Sequence, residues 1–371
     1  MIFYPKTYKI RPASDNRDWL IQKGRQALSH PIPHITDAPA PLSEGGPHDY
    51  YSNGDYWWPD PASPNGLPYI RRDGETNPDN FNRHRELLRG MREDVVFLTC
   101  AYDFTRDEVF AARAAKILKE FFLDQETRMN PSLTFAQAIP GICSGRGIGI
   151  IDTLHLADIP FAVRKLSVSP HMTAAILEGL RDWFRQYLHW MFTSQNGLDE
   201  MNTENNHSVC FFMQAAAFSL FTEQEDSIRF CREQFQNVLL KQMAPDGSFP
   251  RELARTKPYN YSLFITDNLV ALCHMLSSPE NDLWEYETKE GCSIKKAIDF
   301  IIPYVLDKSA WPYPPDVMHF DAFPIRYSFP LFAGCRLGKR EWISFFQSLP
   351  FESSDEEARR NLAVCQPLLW M

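Results

Sequence analysis

The sequence lacks the features that mark several common classes of protein. No apolar run approaches the about 18 residues of a membrane-spanning helix, which argues against a transmembrane segment. Its opening, M-I-F-Y-P-K-T-Y-K-I, is short, interrupted by proline and charged, so it has no apolar signal-peptide region. We therefore expect a cytoplasmic protein with no membrane partner, or a periplasmic or secreted one if a signal has been removed.

Positive charge and paired cysteines are also scarce. The formal net charge is −9, whereas a nucleic-acid partner requires a basic surface, so no nucleic-acid partner is expected. The eight cysteines include no C-x-x-C pair, and most lie within apolar helical patterns. We expect reduced thiols that behave as small buried hydrophobic groups.

The composition is that of a folded protein with many aromatic residues. Of 371 residues, 44% are hydrophobic and 13% aromatic, which is enough for a sizeable core. Aromatic side chains concentrate within residues 50–69. Their faces suit either stacking on sugar rings or ordinary core packing.

Two kinds of segment follow each other along the chain. Residues 1–84 are rich in Pro, Gly, Asn and Asp and contain one possible short helix, at 16–29. From about Phe81 onward, apolar residues recur at helical spacing and strand signals are few. The predicted helices include 87–98 and 109–121 and cover 171–193, 207–222, 224–243, 262–277, 293–307 and 353–366, with Asp107, Ser227 and Ser293 as N-caps.

The helices come in pairs joined by loops that contain Pro and Gly. This pattern predicts a mainly α protein of antiparallel helical hairpins around a common axis. We expect one domain over residues 1–371, with 1–84 as a loop-rich, aromatic segment that lies across it as a lid.

The first candidate binding feature is Y-Y-S-N-G-D-Y-W-W-P-D-P at 50–61, followed by P-Y-I-R-R-D-G-E-T-N-P at 68–78. Its aromatic residues, with Arg71 and Arg72, suit a polyanionic sugar chain. Alternatively, the segment packs on the helices and one of these arginines pairs with Asp73 or Glu75. The two interpretations are compatible.

A second feature, S-G-R-G-I-G-I-I-D at 144–152, is rich in glycine. It resembles a dinucleotide-binding turn, but no hydrophobic strand precedes it and the third glycine of that fingerprint is missing. The glycines are expected to allow close packing or a tight turn beside Arg146.

A third feature is N-T-E-N-N-H-S-V at 202–209, just before an apolar helical run. Thr203 or Asn205 would satisfy the helix cap, so Asn206 and His207 are not needed together for capping. A zinc site would require a further ligand near His207, but Phe211 stands at i+4 and no metal site is predicted. On position alone, His207 reads as a structural histidine.

A fourth feature, R-E-L-A-R-T-K-P-Y-N-Y-S at 251–262, places two tyrosines after Arg255 and Lys257 in what looks like a basic loop. It is either an ordinary surface loop or a reactive site. A guanidinium next to a phenol favours phenolate, which brings Tyr259 or Tyr261 within reach of acid–base catalysis.

These pieces together resemble the alginate lyase family of polysaccharide lyases, over about residues 49–265. The resemblance includes F-A-Q-A-I-P-G-I-C-S-G-R-G-I-G-I-I-D, N-N-H-S and E-L-A-R-T-K-P-Y-N-Y-S. It implies an incomplete (α/α) toroid without cofactor or metal. The implied reaction is β-elimination on a uronic-acid polymer.

The resemblance also implies roles for individual residues. Asn206 and Arg255 would stabilise the enolate-like dianion. Tyr261 would protonate the leaving O4, and His207 or Tyr261 would remove the C5 proton, depending on whether the departing groups are anti or syn. Contacts with the acidic polysaccharide are expected from Tyr56, Trp57, Trp58, Arg71, Arg72, Gln137, Arg146, Lys257 and Tyr259.

The resemblance is incomplete in one place, because Asn260 stands where a histidine is expected beside the catalytic tyrosine. The polymer is therefore left open between alginate of the mannuronan type and glucuronan. Two other classes also remain. One is a uronide-binding protein without catalysis, and the other is an (α/α)-toroid glycoside hydrolase that uses two of Asp60, Asp73, Glu204 and Glu252.

Overall fold

The computed structural model describes the chain from Ser14 to Met371, with side chains from Asn16 onward. Residues 1–13 of the predicted N-terminal segment lie outside this range. The described residues separate into two compact units. The first unit contains residues 14–200 and Trp370, and the second contains residues 201–369 and Met371.

The first unit is mainly helical. Its helices are α1 (Ser14–Ala27), α2 (Arg83–Thr105), α3 (Glu108–Phe122), α4 (Asp158–Leu166), α5 (Ala174–Thr193) and α6 (Gln195–Met201), the last of which ends at the first residue of the second unit. The long helix α2 packs against α1, α3 and α4, and 15 of its residues are buried. A helix that is buried on most of its faces must have other elements around it, which places α2 in the core of this unit.

Short strands occur in the loop-rich part of the first unit. They are β1 (Tyr51–Asn53), β2 (Trp57–Trp58), β3 (Ile70–Arg71) and β4 (Phe135–Ala138). β1 pairs in parallel with β4, and β2 pairs antiparallel with β3, with Trp57 opposite Arg71. The second pairing holds the two aromatic and basic motifs of residues 50–78 side by side.

The glycine-rich motif begins a 3₁₀ helix, Gly147–Ala157. A Cβ on Gly145 would lie 2.0 Å from the carbonyl oxygen of Thr134, and one on Gly149 would lie 2.5 Å from the Cβ of Ala136. Neither space admits a side chain, so the expectation that these glycines allow close packing is confirmed.

The second unit contains nine named helices among its described residues, the last of which ends at Trp370 of the first unit. They are α7 (Asn206–Thr222), α8 (Glu225–Asn237), α9 (Pro250–Leu253), α10 (Pro258–Leu276), α11 (Ile294–Leu306), α12 (Phe329–Leu337), α13 (Arg340–Ser348), α14 (Glu356–Arg359) and α15 (Pro367–Trp370). Helix α10 packs against α7, α11 and α12, and Tyr261 is its one residue that is not buried. Helix α10 is therefore the central helix of this unit.

Most of the predicted helices are present, and two details are wrong. Asp107 and Ser293 cap their helices as predicted, but Ser227 lies inside α8. The predicted helix at 353–366 is only the single turn of α14, followed by turns up to α15.

All eight cysteines are free, and six are buried. Among residues 14–371, no helix is long and apolar enough to cross a bilayer.

Candidate active site

The start of α7 presents Asn206 and His207. Asn205 is the N-cap, and its side-chain oxygen accepts a hydrogen bond from the backbone N–H of His207 at 3.2 Å. Asn205 thus satisfies the cap, as the sequence indicated. Asn206 is buried and His207 is half-buried, so neither side chain is needed to begin the helix.

A buried carboxylate holds Asn206. The backbone N–H of Asn206 donates to Glu252 Oε1 at 2.7 Å, and the side-chain Nδ2 donates to Oε2 at 2.8 Å. Glu252 is fully buried. The pKa of Glu252 is raised, because burial outweighs the lowering effect of the Asn206 hydrogen bonds and of the charges of Arg255 and His207.

Arg255 and Tyr261 form a close pair. Arg255 Nη2 donates to the Tyr261 hydroxyl at 3.1 Å, and its guanidinium carbon lies 4.3 Å from the centre of the Tyr261 ring. Both side chains are half-buried. The cation therefore lies where it stabilises negative charge on the phenol oxygen.

The two tyrosines of the motif have different environments. The sequence suggested a loop here, but Pro258 is the first residue of α10, so Tyr259 and Tyr261 both lie on its first turn. Residues two apart on a helix point about 200° away from each other. The Tyr259 side chain is fully buried, and its hydroxyl donates to the carbonyl oxygen of Tyr304 at 2.9 Å.

Lys257 is also buried, with its Nζ 3.6 Å from a carboxylate oxygen of Glu357. The substrate contacts expected of Lys257 and Tyr259 stay predictions. In this structure, direct contact would require the surrounding residues to move, and the same holds for Asn206, which is only 1% exposed.

Asp316 fixes the first turn of α10. Its two carboxylate oxygens accept the backbone N–H groups of Tyr259 at 2.9 Å and of Asn260 at 3.0 Å. Burial raises the pKa of Asp316 to about 6. Sequence reasoning missed this cap, because Asp316 is more than fifty residues from the helix that it begins.

In the first unit, the aromatic motif carries half-exposed Tyr56, Trp57 and Trp58. The exposed Arg72 places its guanidinium carbon 4.8 Å from the centre of the Trp58 ring. Arg71 pairs with Asp73 at 2.6 Å, as one of the two interpretations expected. Both arginines remain on the surface, where such pairs add little stability.

Gln137 and Arg146 form a second cationic feature of this unit. The backbone carbonyl and the side-chain Oε1 of Gln137 each accept a hydrogen bond from the Arg146 guanidinium at 3.0 Å. The guanidinium carbon lies 5.7 Å from the centre of the Trp57 ring. Within residues 14–371, Arg146 forms no ion pair, and burial lowers its pKa.

The backbone of Gln137 is strained to hold this position. Its φ of +50° is a left-handed conformation that costs energy for a residue with a side chain. The Ser52 hydroxyl accepts its N–H at 2.8 Å, and its Nε2 donates to Asp152 at 3.1 Å. Such strain persists only where neighbouring contacts enforce it.

Asp152 also binds the buried Arg85, with Nε 2.9 Å from Oδ2. Arg85 further contacts Asp55 of the aromatic motif. This buried ion pair supports both the aromatic motif and Gln137. Sequence reasoning did not find this ion pair, because its partners are 67 residues apart.

The described residues contain no cluster of three or more metal-ligating side chains.

Comparisons with known proteins agree with the expected family. The sequence model of the alginate lyase family matches residues 34–311. This range includes both the Asn206–Tyr261 region and the aromatic motif. A search of curated proteins finds no match.

Several solved structures are similar to this chain. A crystal structure of an alginate lyase from Bacteroides ovatus is 31% identical with a TM-score of 0.83, covering 96% of this chain and 93% of that one. Alginate lyase A1-III complexed with a tetrasaccharide is 16% identical with a TM-score of 0.60, covering 91% and 89%. A1-III from Sphingomonas species A1 has a TM-score of 0.53 at 16% identity, covering 88% and 89%.

The two A1-III structures show a shared mainly helical fold. The family match and the Bacteroides structure show, in addition, the family of this chain. The chain belongs to the alginate lyase family and is a polysaccharide lyase, an enzyme of the carbon–oxygen lyase class.

Proposed function

We propose that the enzyme cleaves a 1,4-linked uronic-acid polymer by metal-independent β-elimination and leaves a 4,5-unsaturated uronate end. The observation that carries this proposal is the Arg255–Tyr261 pair, with Nη2 3.1 Å from the phenol oxygen. The tetrasaccharide in the A1-III complex supports an oligosaccharide or polysaccharide substrate.

The proposed chemistry begins at C5 of the uronate. The C5 proton becomes acidic only when the charge of the adjacent carboxylate is neutralised. The Asn206 amide and the Arg255 guanidinium supply this stabilisation, which strengthens as negative charge develops in the transition state.

Proton transfer completes the elimination. Tyr261 delivers a proton to the leaving O4, and its hydroxyl already lies against a cation that stabilises the oxygen once the proton is gone. For a syn elimination, Tyr261 begins as the phenolate that Arg255 stabilises, takes the C5 proton and passes that proton to O4. For an anti elimination, His207 takes the C5 proton and Tyr261 gives its own proton to O4.

Three of the four carboxylates named for the glycoside hydrolase alternative already have a partner. Glu252 is enclosed and bound to Asn206, Glu204 pairs with Arg251, and Asp73 pairs with Arg71. A hydrolase would require two carboxylates that face one glycosidic bond. A lyase of this type requires a phenol and a cation instead.

We further propose that the helical hairpins form the incomplete (α/α) toroid and that the aromatic segment is its lid. The half-exposed tryptophans, and Arg146 beside the Trp57 ring, support a role for this part of the chain in binding acidic sugars. Glucuronan is the second candidate substrate beside mannuronan-rich alginate.

A polymer panel tests the function. Mannuronan, guluronan and glucuronan are incubated with the enzyme, and the ultraviolet absorbance of the unsaturated product is followed. We expect a rise with at least one polymer. Folded protein that produces no unsaturated end from any uronide polymer would contradict the proposal.

A further inference from the structure

Glu252 has an environment that is unusual for a carboxylate. It lies on the short helix α9, fully enclosed, and both of its oxygens are used by one residue, Asn206. A buried carboxylate is costly unless its lone pairs are satisfied. Here a backbone N–H and a side-chain N–H of the same asparagine satisfy them.

This contact determines the orientation of the Asn206 amide. An ionised carboxylate only accepts hydrogen bonds, so the amide must face Glu252 with Nδ2 rather than with Oδ1. A flipped amide would place two acceptors against each other. The Nδ2 group has a second N–H, and that one is left to donate elsewhere.

Glu252 also joins the two segments that carry the catalytic candidates. Its side chain binds the first residue of α7, and its backbone carbonyl accepts the N–H of Arg255 at 3.1 Å. The charges of Arg255 and His207 act on Glu252 as well. One carboxylate thus lies between the amide and the cation of the proposed reaction.

We propose that Glu252 is a positioning residue of the lyase reaction, which holds the Asn206 amide so that its second Nδ2–H donates to the uronate carboxylate. This inference rests on the proposed function. Glu252 itself touches no reacting atom. Its role is to keep Asn206 preorganised, so that the amide need not reorient as charge develops.

The test is the variant Glu252→Gln, which keeps the shape of the side chain but presents an NH₂ group to one of the two Asn206 donors. We expect kcat to fall about 10- to 100-fold, which is less than the about 10²- to 10³-fold fall when an oxyanion donor is removed altogether. KM should change by less than about threefold. Glu252→Asp keeps an acceptor-only carboxylate and should recover part of the activity. Glu204→Gln is the matched control, because it removes the same charge from an exposed side chain two residues before Asn206.

A double-mutant cycle separates positioning from general damage. If Glu252 acts through Asn206, the kcat loss of Glu252→Gln should largely disappear in an Asn206→Ala background. Losses that multiply in the double variant would overturn the proposal, as would a Glu252→Gln enzyme within twofold of the wild-type kcat. If Glu252→Gln does not fold, the cycle is run with Glu252→Asp, whose smaller kcat loss should likewise disappear in the Asn206→Ala background, and losses that multiply would overturn the proposal.

Failure of the proposed function is recognised separately. In that case the wild-type enzyme itself gives no unsaturated product from the polymer panel.

Discussion

Removal of one hydroxyl group at Tyr261 should abolish most of the activity without unfolding the protein. Tyr261→Phe deletes the oxygen that accepts the Arg255 hydrogen bond at 3.1 Å and retains the ring that the guanidinium stacks on. A positioned acid–base group contributes about 10²- to 10⁴-fold to a rate, so we expect a kcat loss of at least 10²-fold. The lost hydrogen bond should cost about 1 kcal/mol of unfolding free energy.

Tyr259→Phe is the matched comparison on the same helix turn. It removes the hydroxyl that donates to Tyr304, which also costs about 1 kcal/mol of stability. Its kcat should stay near the wild-type value. The assay follows the ultraviolet absorbance of the unsaturated product for both variants, alongside thermal unfolding. Activity that survives Tyr261→Phe but is lost in Tyr259→Phe would refute the assignment.

Three further changes test other parts of the account. Arg255→Lys keeps the charge but loses the planar stacking on Tyr261, so kcat should fall about tenfold or more in the same absorbance assay. Arg146→Gln should raise KM for an acidic polymer several-fold with little change in kcat, whereas Arg229→Gln, on the surface of α8 and paired with Asp226, should change neither. Burial raises the pKa of Asp267 to about 6, so its contribution to stability is complete below about pH 4 and is lost as the pH rises through about 6. In denaturant titrations, the wild type should therefore lose about 2 kcal/mol more unfolding free energy than Asp267→Asn between pH 4 and pH 7, and equal losses would contradict the shift.

The sequence predicted the helices whose burial leaves a clear periodic pattern, such as α3 and α11. It missed α12, whose residues Phe329–Cys335 are all buried, so that no polar face marks the period. It also placed the start of α10 four residues late, because Pro258 read as the end of a loop. In the structure Pro258 is the first residue of the helix, and a distant carboxylate caps that turn.

The candidate site was likewise predicted only in part. Asn206, His207, Arg255 and Tyr261 were named because their residue types and order match a family motif. Local spacing could not choose between Tyr259 and Tyr261, and Tyr261 was named from the resemblance alone. In the structure the two side chains point in nearly opposite directions from α10, and only Tyr259 is buried.

The contacts that hold the candidate site residues in place could not be predicted from the sequence. Glu252 reaches Asn206 across 46 residues, and Asp316 reaches Tyr259 across 57. Such pairs depend on how the helices pack, and no local pattern in the sequence records that packing.

The most direct test of the central claim is the mass of the products. Elimination cleaves the chain without adding water, so the two fragments together should weigh as much as the oligosaccharide that was cut. We predict this result for a defined mannuronate or glucuronate oligosaccharide, with one fragment carrying the unsaturated end. Fragments that together weigh one water more would show hydrolysis and would contradict the account.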